Sequence, residues 1–243
     1  MQHAGEEAAV TSPLATRIEK IREAMVIAAT RAHRSADDVT LVAVSKTHPA
    51  VKVREAIAAG QVDFGENRVQ EAETKIPEVG RDAARWHLIG HLQSNKARRA
   101  VELFDWIHSV DSVDLARRID RICRQVDREE LPVLLQVDLG HEATKTGVPE
   151  KDLREVVDVV RACDRLRLMG LMTLPPFFDD AEKARLYFKR LRELRDELQK
   201  EGAFDDRGGD LSMGMTHDFD IAIEEGATII RVGTAIFGER HAG

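Results

Sequence analysis

The stretch Arg231–Gly238 reads RVGTAIFG and completes a short apolar run, Ala227–Val232. The run has the length and composition of a buried β-strand, and it ends on a small Gly-Thr pair. Leu211–Met215 (LSMGM) shows the same plan just upstream. Glycine lets the backbone approach a ligand closely, and hydroxyls and free N–H groups donate hydrogen bonds, so these two strand ends predict a phosphate cradle. In a (β/α)₈ barrel, the loops after the last two strands are the usual phosphate site.

The rest of the chain alternates short apolar runs with helical patterns. Strands that alternate with helices predict a parallel sheet, and eight of them predict closure into a barrel. The fold class is therefore α/β, a single (β/α)₈ TIM barrel, and 243 residues suit one such domain. The strand candidates are Thr40–Ser45, Val62–Phe64, Trp86–Ile89, Trp106–Ser109, Val133–Asp138, Leu166–Met172, Leu211–Met213 and Thr228–Val232.

An extra helix precedes the first strand. Ser12 is a good N-cap and Pro13 suits the first helical position, and apolar residues then recur with helical spacing at Leu14, Ile18, Ile21 and Met25. Residues 1–11 lack the basic and apolar regions of a signal peptide. They are expected to be a short flexible leader. Residues 12–243 form the single predicted domain.

Composition excludes several classes of protein. Charged residues make up 33% of the chain and the net charge is −7, which disfavours binding to a nucleic acid backbone. No apolar run is long enough to span a membrane. Cys123 and Cys163 lie in helix-like segments without metal-ligand spacing, so we expect reduced thiols, no metal and a cytoplasmic location.

Lys46 ends the first strand candidate, where a barrel keeps its chemistry. Burial of a lysine favours the neutral amine, which attacks aldehydes. Together with a phosphate cradle, this predicts a phosphorylated aldehyde held as a Schiff base. Alternatively, Lys46 extends into solvent or pairs with Glu66, and its position alone does not decide between these roles.

Arg231 ends the last strand candidate and also has alternative roles. It could bind the phosphate, or it could face the pyridine nitrogen of a cofactor and hold that nitrogen unprotonated, since a guanidinium stays charged. It could equally form a structural ion pair with Glu224 or Glu239.

Other polar residues also fall at strand ends. Asn67 could bind a cofactor hydroxyl or cap the next helix. His87 lies within a strand and is expected to be a satisfied core residue, whereas His91 follows a strand and could lie at a pocket rim. The remaining strand-end residues are Ser109, Thr173 and Ser212.

Several long stretches are similar to one known family, the pyridoxal 5′-phosphate homeostasis proteins, also called the YggS or PROSC family. The resemblance implies the barrel of the alanine racemase N-terminal domain and binding of pyridoxal 5′-phosphate. The matching stretches are Leu41–Thr47 (LVAVSKT), Phe64–Gln70 (FGENRVQ), His87–Lys96 (HLIGHLQSNK), His108–Ser112 (HSVDS), Gly170–Pro175 (GLMTLP) and Leu211–Gly238.

The resemblance also implies roles for individual residues. Lys46 would form the covalent aldimine with pyridoxal 5′-phosphate, and Arg231 would lie near the pyridine nitrogen. The other implied cofactor contacts are Asn67 and, on the phosphate side, Ser212, Met213, Gly233 and Thr234. The stretch Leu139–Glu142 is less typical of the family, although Glu142, Lys145 and Gly147 keep its usual outline. The role of the loop Gly140–Pro149, with Lys145, is not assigned.

The expected function is therefore cofactor homeostasis without strong catalysis: binding of pyridoxal phosphate and delivery to apo-enzymes that use it. A racemase of the same barrel type is the alternative, and it would need a titratable group opposite Lys46, such as His91 or a residue of Gly140–Thr146. The only tyrosine, Tyr187, lies on an apolar helical stripe. A Schiff-base aldolase without cofactor is a weaker alternative. Because the chain ends soon after Gly238, we expect no C-terminal β-domain and a monomer.

Overall fold

A computed structural model describes residues 12–140, 146–205 and 208–239, and it contains a closed parallel barrel. The strands of the ring pair in the order β4-β3-β2-β1-β9-β8-β7-β5, and β4 pairs with β5 to close it. The strands are β1 (Thr40–Val44), β2 (Asp63–Glu66), β3 (Arg85–Leu88), β4 (Trp106–Val110), β5 (Leu131–Asp138), β6 (Val148–Pro149), β7 (Leu166–Met172), β8 (Asp210–Ser212) and β9 (Ile229–Val232).

The predicted (β/α)₈ barrel is thus confirmed, and each predicted strand is present within two residues of its expected ends. The differences have local causes. β2 extends past Phe64 because Gly65 and Glu66 pair with His87 and Leu88 of β3. The short β6 lies outside the ring against the end of β5 and is too short to leave an apolar pattern in the sequence.

Helices surround the barrel. They are α1 (Pro13–Arg31), α2 (Ala50–Ala58), α3 (Val69–Val79), α4 (Ala97–Leu103), α5 (Val113–Gln125), α6 (Leu153–Arg161), α7 (Arg185–Lys200), α8 (Phe219–Glu224) and α9 (Thr234–Phe237). The extra N-terminal helix is confirmed, and the Ser12 hydroxyl accepts from the Ala15 N–H at 3.2 Å. The predicted leader, residues 1–11, lies outside the described residues.

Two apolar layers hold the fold together. The larger one lies between the strands and the helices and contains the buried faces of α1, α5 and α7. The smaller one lies inside the barrel and consists of Val42, Leu134, Met172 and Ile229. Because side chains alternate along a strand, one set of each strand faces the barrel axis and the other faces the helices.

Within the described ranges, the helices are too short or too polar to cross a membrane. The two cysteines are free. Cys123 is buried in α5, but Cys163 follows the end of α6, so its predicted place inside a helix is wrong.

Candidate functional site

Lys46 lies in the turn that follows β1, at the carboxyl end of the barrel, and it is half-buried. Val44 of β1 pairs with Gly65 of β2. Lys46 and Asn67 each come two residues after that pair, so the two neighbouring strands bring both residues to the same edge of the barrel mouth. This is the edge where barrels of this class carry their chemistry.

Glu66, the partner that the sequence offered for Lys46, is already compensated by other groups. Its Oε1 accepts from the Ser45 hydroxyl at 2.6 Å and from Lys75 Nζ at 2.7 Å. Burial raises the pKa of the Glu66 carboxyl, and the charge of Lys75 acts in the opposite direction.

Arg231 is buried on β9 and points into the barrel. Its guanidinium donates to the Ser212 hydroxyl at 2.6 Å and to the Thr173 carbonyl at 2.9 Å. The predicted ion pair with Glu224 is absent, because Glu224 pairs with Arg31 and Arg185 instead. Among the described residues, no carboxylate lies within ion-pair distance of Arg231, although it is a fully buried cation.

A chain of hydrogen bonds continues from Arg231 down the inside of the barrel. The Ser212 hydroxyl lies 3.0 Å from Nδ1 of His108, whose Nε2 lies 2.9 Å from Nδ1 of His87. His87 Nε2 then lies 2.9 Å from a carboxylate oxygen of Asp63. The predicted role of His87 as a satisfied core residue is confirmed.

The two ends of this chain fix the direction of each hydrogen bond. Asp63 can only accept when ionised, so His87 donates to it from Nε2 and accepts at Nδ1. His108 therefore donates from Nε2 to His87 and accepts at Nδ1 from the Ser212 hydroxyl. The Ser212 oxygen in turn accepts from Arg231, so every member of the chain has the partner that it needs.

Burial controls the charges in this chain. The pKa of His108 lies well below its ordinary value of 6.5, first because of burial and then because its neighbours His87 and Arg231 disfavour a second positive charge. Burial also lowers the pKa of Arg231 to about 10, and the opposite charge of Asp218 limits the shift. At neutral pH, the site therefore contains a neutral imidazole beside a cationic guanidinium.

The two Gly-containing loops lie side by side, as the sequence predicts for a cradle. The Arg231 N–H donates to the Gly214 carbonyl, and the Gly233 N–H donates to the Thr216 hydroxyl at 3.3 Å. Gly214 has φ +91°, and a Cβ there would lie 2.5 Å from Cβ of Ala222, so only glycine fits. Thr234 is exposed at the start of α9.

Two of the predicted phosphate ligands make contacts within the protein. The hydroxyl of Ser212 is occupied by Arg231 and His108 inside the barrel. Met213 packs its side chain into the outer core, and its N–H donates to the Ile229 carbonyl. The phosphate contacts of both residues stay a prediction, and the hydroxyl that joins the two loops is that of Thr216.

Asn67 borders an open cavity of about 610 Å³ over the ends of β2 and β3. Gly90 and His91 also line this cavity, so the predicted rim position of His91 is confirmed. The N-cap of α3 is Arg68 and the cap has no side-chain hydrogen bond, so Asn67 does not serve as the helix cap. His91 Nδ1 lies 3.3 Å from Asp111, whose pKa is raised by burial.

Further titratable groups are engaged elsewhere. Tyr187 is half-buried on α7 and stacks on Phe178 with ring centres 5.8 Å apart. Burial raises the pKa of the Cys123 thiol to about 11. No metal-binding cluster occurs in residues 12–140, 146–205 and 208–239. Residues 141–145 of the loop Gly140–Pro149, with Lys145, lie outside the described residues.

Sequence reasoning missed Asp63, His108 and Thr216 as members of the site. The signal for Asp63 and His108 was present, since a polar residue on the axis-facing side of a barrel strand needs a partner there. It was not usable because facing residues could not be assigned before the strand registers were known.

Comparison with known proteins places the chain in a family. Residues 19–241 match the family profile described as "Alanine racemase, N-terminal domain". The pyridoxal phosphate homeostasis protein of Aquifex aeolicus (strain VF5) is 41% identical over 226 residues, which are 92% of this chain and 97% of the relative. The protein of the same name from Pseudomonas aeruginosa is 43% identical over 233 residues, 96% of this chain and 98% of the relative.

The chain belongs to the family of the pyridoxal phosphate homeostasis proteins. The resemblance noted in the sequence is thereby confirmed. A solved structure of another member, PipY from Synechococcus elongatus PCC7942 with PLP bound, is 43% identical with a TM-score of 0.81 and covers 93% of this chain and 100% of that chain. PipY without PLP has a TM-score of 0.83.

More distant structures share the fold alone. The alanine racemase of Clostridium difficile 630 is 16% identical with a TM-score of 0.71, and the match covers 95% of this chain but 57% of that chain. This racemase thus contains the same barrel fold as this chain.

Proposed function

We propose that this protein binds pyridoxal 5′-phosphate at the barrel mouth through a Schiff base to Lys46. In this proposal it holds and delivers the cofactor for vitamin B6 homeostasis in the cytoplasm, acts as a monomer and has no strong catalytic activity of its own. The names of its relatives and the PLP-bound structure of PipY support the cofactor assignment.

The observation that carries the proposal is the buried charge of Arg231. A buried cation without an ionic partner is costly, and its present partners are two neutral oxygens. A ligand that brings a hydrogen-bond acceptor and a negative group to the mouth would compensate this charge. Pyridoxal phosphate offers a pyridine nitrogen and a phosphate, and the loops at Gly214 and Gly233 lie side by side next to Arg231.

Each residue of the site then has a stated task. When bound, pyridoxal phosphate supplies an aldehyde carbon that condenses with an amine and a ring that can withdraw electrons. Lys46 would hold the cofactor through its amine, in a reversible condensation that releases one water. Arg231 keeps its proton at neutral pH, so it would donate to the ring nitrogen and hold that nitrogen unprotonated. Asn67 is the proposed partner of the ring hydroxyl, and Gly233, Thr234 and Thr216 of the phosphate.

Weak catalysis follows from the same site. An unprotonated ring nitrogen withdraws electrons poorly, and racemisation also requires a second acid–base group opposite the lysine. Within the described residues, the tyrosine is stacked on Phe178 and Cys123 is buried with a raised pKa. These features support a role in holding and delivering the cofactor to apo-enzymes.

Replacement of the reactive lysine tests the covalent assignment. In the Lys46→Ala variant, the adduct that borohydride traps with pyridoxal phosphate should disappear, while weaker non-covalent binding through the phosphate remains. Lys52→Ala is the matched control, because Lys52 forms a surface ion pair with Glu55 on α2. Mass spectrometry of the reduced protein identifies the modified residue, and an unchanged adduct in Lys46→Ala would refute the assignment.

Exchange of α-protons tests the absence of catalysis. The protein is loaded with pyridoxal phosphate and mixed with L-amino acids in heavy water, and deuterium at Cα is measured by NMR. We expect no more exchange than free cofactor gives. Exchange well above that level, lost in Lys46→Ala, would make the protein a racemase-like enzyme instead.

A further inference from the structure

The turn that carries Lys46 is tied to α3 through a second, buried lysine. Lys75 Nζ donates to the Ser45 carbonyl, to Glu66 Oε1 and to Glu71 Oε1, each at 2.7 Å. The side chain of Lys75 is 6% exposed and that of Glu66 is fully buried. An ammonium group has three donors, so all of them are used in this cluster.

Two further hydrogen bonds reach the residues on either side of Lys46. The Ser45 hydroxyl donates to Glu66 Oε1 at 2.6 Å, and the Thr47 N–H donates to Glu71 Oε1 at 2.5 Å. Thr47 has φ +67°, in the left-handed region that costs about 1–2 kcal/mol for a residue with a side chain. The bond to Glu71 holds Thr47 in this unfavourable conformation.

The cluster lies outside the barrel wall and not in its mouth. A Cβ added to Gly65 would meet the side chain of Val42, which faces the barrel axis, so the next residue, Glu66, faces α3. On its other side the turn contacts α9, where the rings of His48 and Phe237 stack 5.1 Å apart. The cluster is therefore placed to act on Lys46 through the backbone of the turn.

We propose that Glu66, Glu71 and Lys75 are positioning residues for Lys46, a set that we call the turn clamp. The clamp fixes the backbone before and after Lys46, so that the amine is presented to the bound aldehyde in one orientation. An apolar cluster would fill the same space without the desolvation of three charges, which argues that the polar contacts to the turn are its purpose. This inference rests on the proposed attachment of the cofactor to Lys46.

Glu71 is the best residue for a test, because it is 25% exposed whereas loss of Lys75 would leave Glu66 buried without its cation. In Glu71→Ala, we expect the saturating rate of imine formation with pyridoxal 5′-phosphate to fall about tenfold, since misplaced reactive groups react slowly. The affinity for pyridoxine 5′-phosphate, which lacks the aldehyde, should change less than about twofold. In the protein without cofactor, the Thr47 amide should exchange its hydrogen faster.

Two companion variants separate positioning from general damage. Glu71→Gln should recover most of the rate, because its carboxamide oxygen can still accept from the Thr47 N–H. Glu55→Ala on α2 removes a half-buried surface glutamate and should leave both measurements unchanged.

The possible outcomes are distinguishable. A wild-type rate in Glu71→Ala, or an equal loss of affinity for pyridoxine 5′-phosphate, would overturn the turn clamp while leaving the proposed function intact. A wild-type protein that forms no adduct would overturn the proposed function itself and the inference with it.

Discussion

His108 connects the two halves of the polar chain inside the barrel, and its two ring nitrogens have different tasks. Nδ1 accepts from Ser212 and Nε2 donates to His87. In His108→Asn the side-chain oxygen can replace Nδ1, whereas in His108→Gln the amide nitrogen can replace Nε2. We expect His108→Gln to weaken binding of pyridoxal phosphate about tenfold, because the Ser212 hydroxyl loses its acceptor and no longer orients Arg231.

His108→Asn keeps the contact to Ser212 and should bind within about threefold of the wild type. Titration of the cofactor absorbance measures both affinities. If the two variants lose affinity equally, the assigned direction of the hydrogen bonds is wrong.

The two loops after β8 and β9 act together as one element. Their hydroxyls divide into two sets. Those of Thr216 and Thr234 lie along the loops, whereas that of Ser212 lies inside the barrel and accepts a hydrogen bond from Arg231. In the double variant Thr216→Val and Thr234→Val, binding of pyridoxal 5′-phosphate should weaken by about tenfold or more. The affinity for pyridoxal should stay almost unchanged, because pyridoxal has no phosphate.

Ser212→Ala provides the contrast. Loss of its hydroxyl disturbs Arg231, so the affinities for pyridoxal 5′-phosphate and for pyridoxal should fall by the same factor. Competition binding experiments give the ratio of the affinities for the two aldehydes in each variant. If Ser212→Ala loses affinity for pyridoxal 5′-phosphate but not for pyridoxal, the result would support the phosphate contact that the sequence predicts for Ser212.

At the level of strands and helices, the sequence predicted the architecture because apolar periodicity and turn residues are local signals. The eight strands of the ring and α1 follow from such signals. The partners of Arg231 and Glu66 could not be predicted, because Ser212 and Lys75 reach them only through the curvature of the barrel and the packing of α3. Glu224 is closer to Arg231 in sequence, yet it faces α1 and α7.

For the whole molecule, a neutral histidine inside the barrel makes stability depend on pH. The pKa of His108 is depressed in the folded protein, so below about pH 6.5 the unfolded chain binds a proton that the folded chain does not. The contribution of the neutral His108 to the free energy of unfolding is thus complete above that pH. It is lost as the pH falls toward the pKa of His108 in the folded protein. The slope is at most about 1.4 kcal/mol per pH unit for one group.

The raised pKa values of Glu66, Asp111 and Asp218 act in the opposite direction, since these carboxyls bind protons in the folded state first. They are common to the wild type and His108→Asn, so they cancel in the difference between the two proteins. Urea unfolding from about pH 7.5 to 5.5 should show that difference shrinking as the pH falls, because only the wild type loses the contribution of His108. A difference that stays constant across this range would mean that His108 has the same pKa in the folded and unfolded chains, and a difference that grows as the pH falls would mean that His108 is protonated inside the barrel. In the second case both ring nitrogens would donate, so the direction of the hydrogen bond between His108 and Ser212 would be reversed.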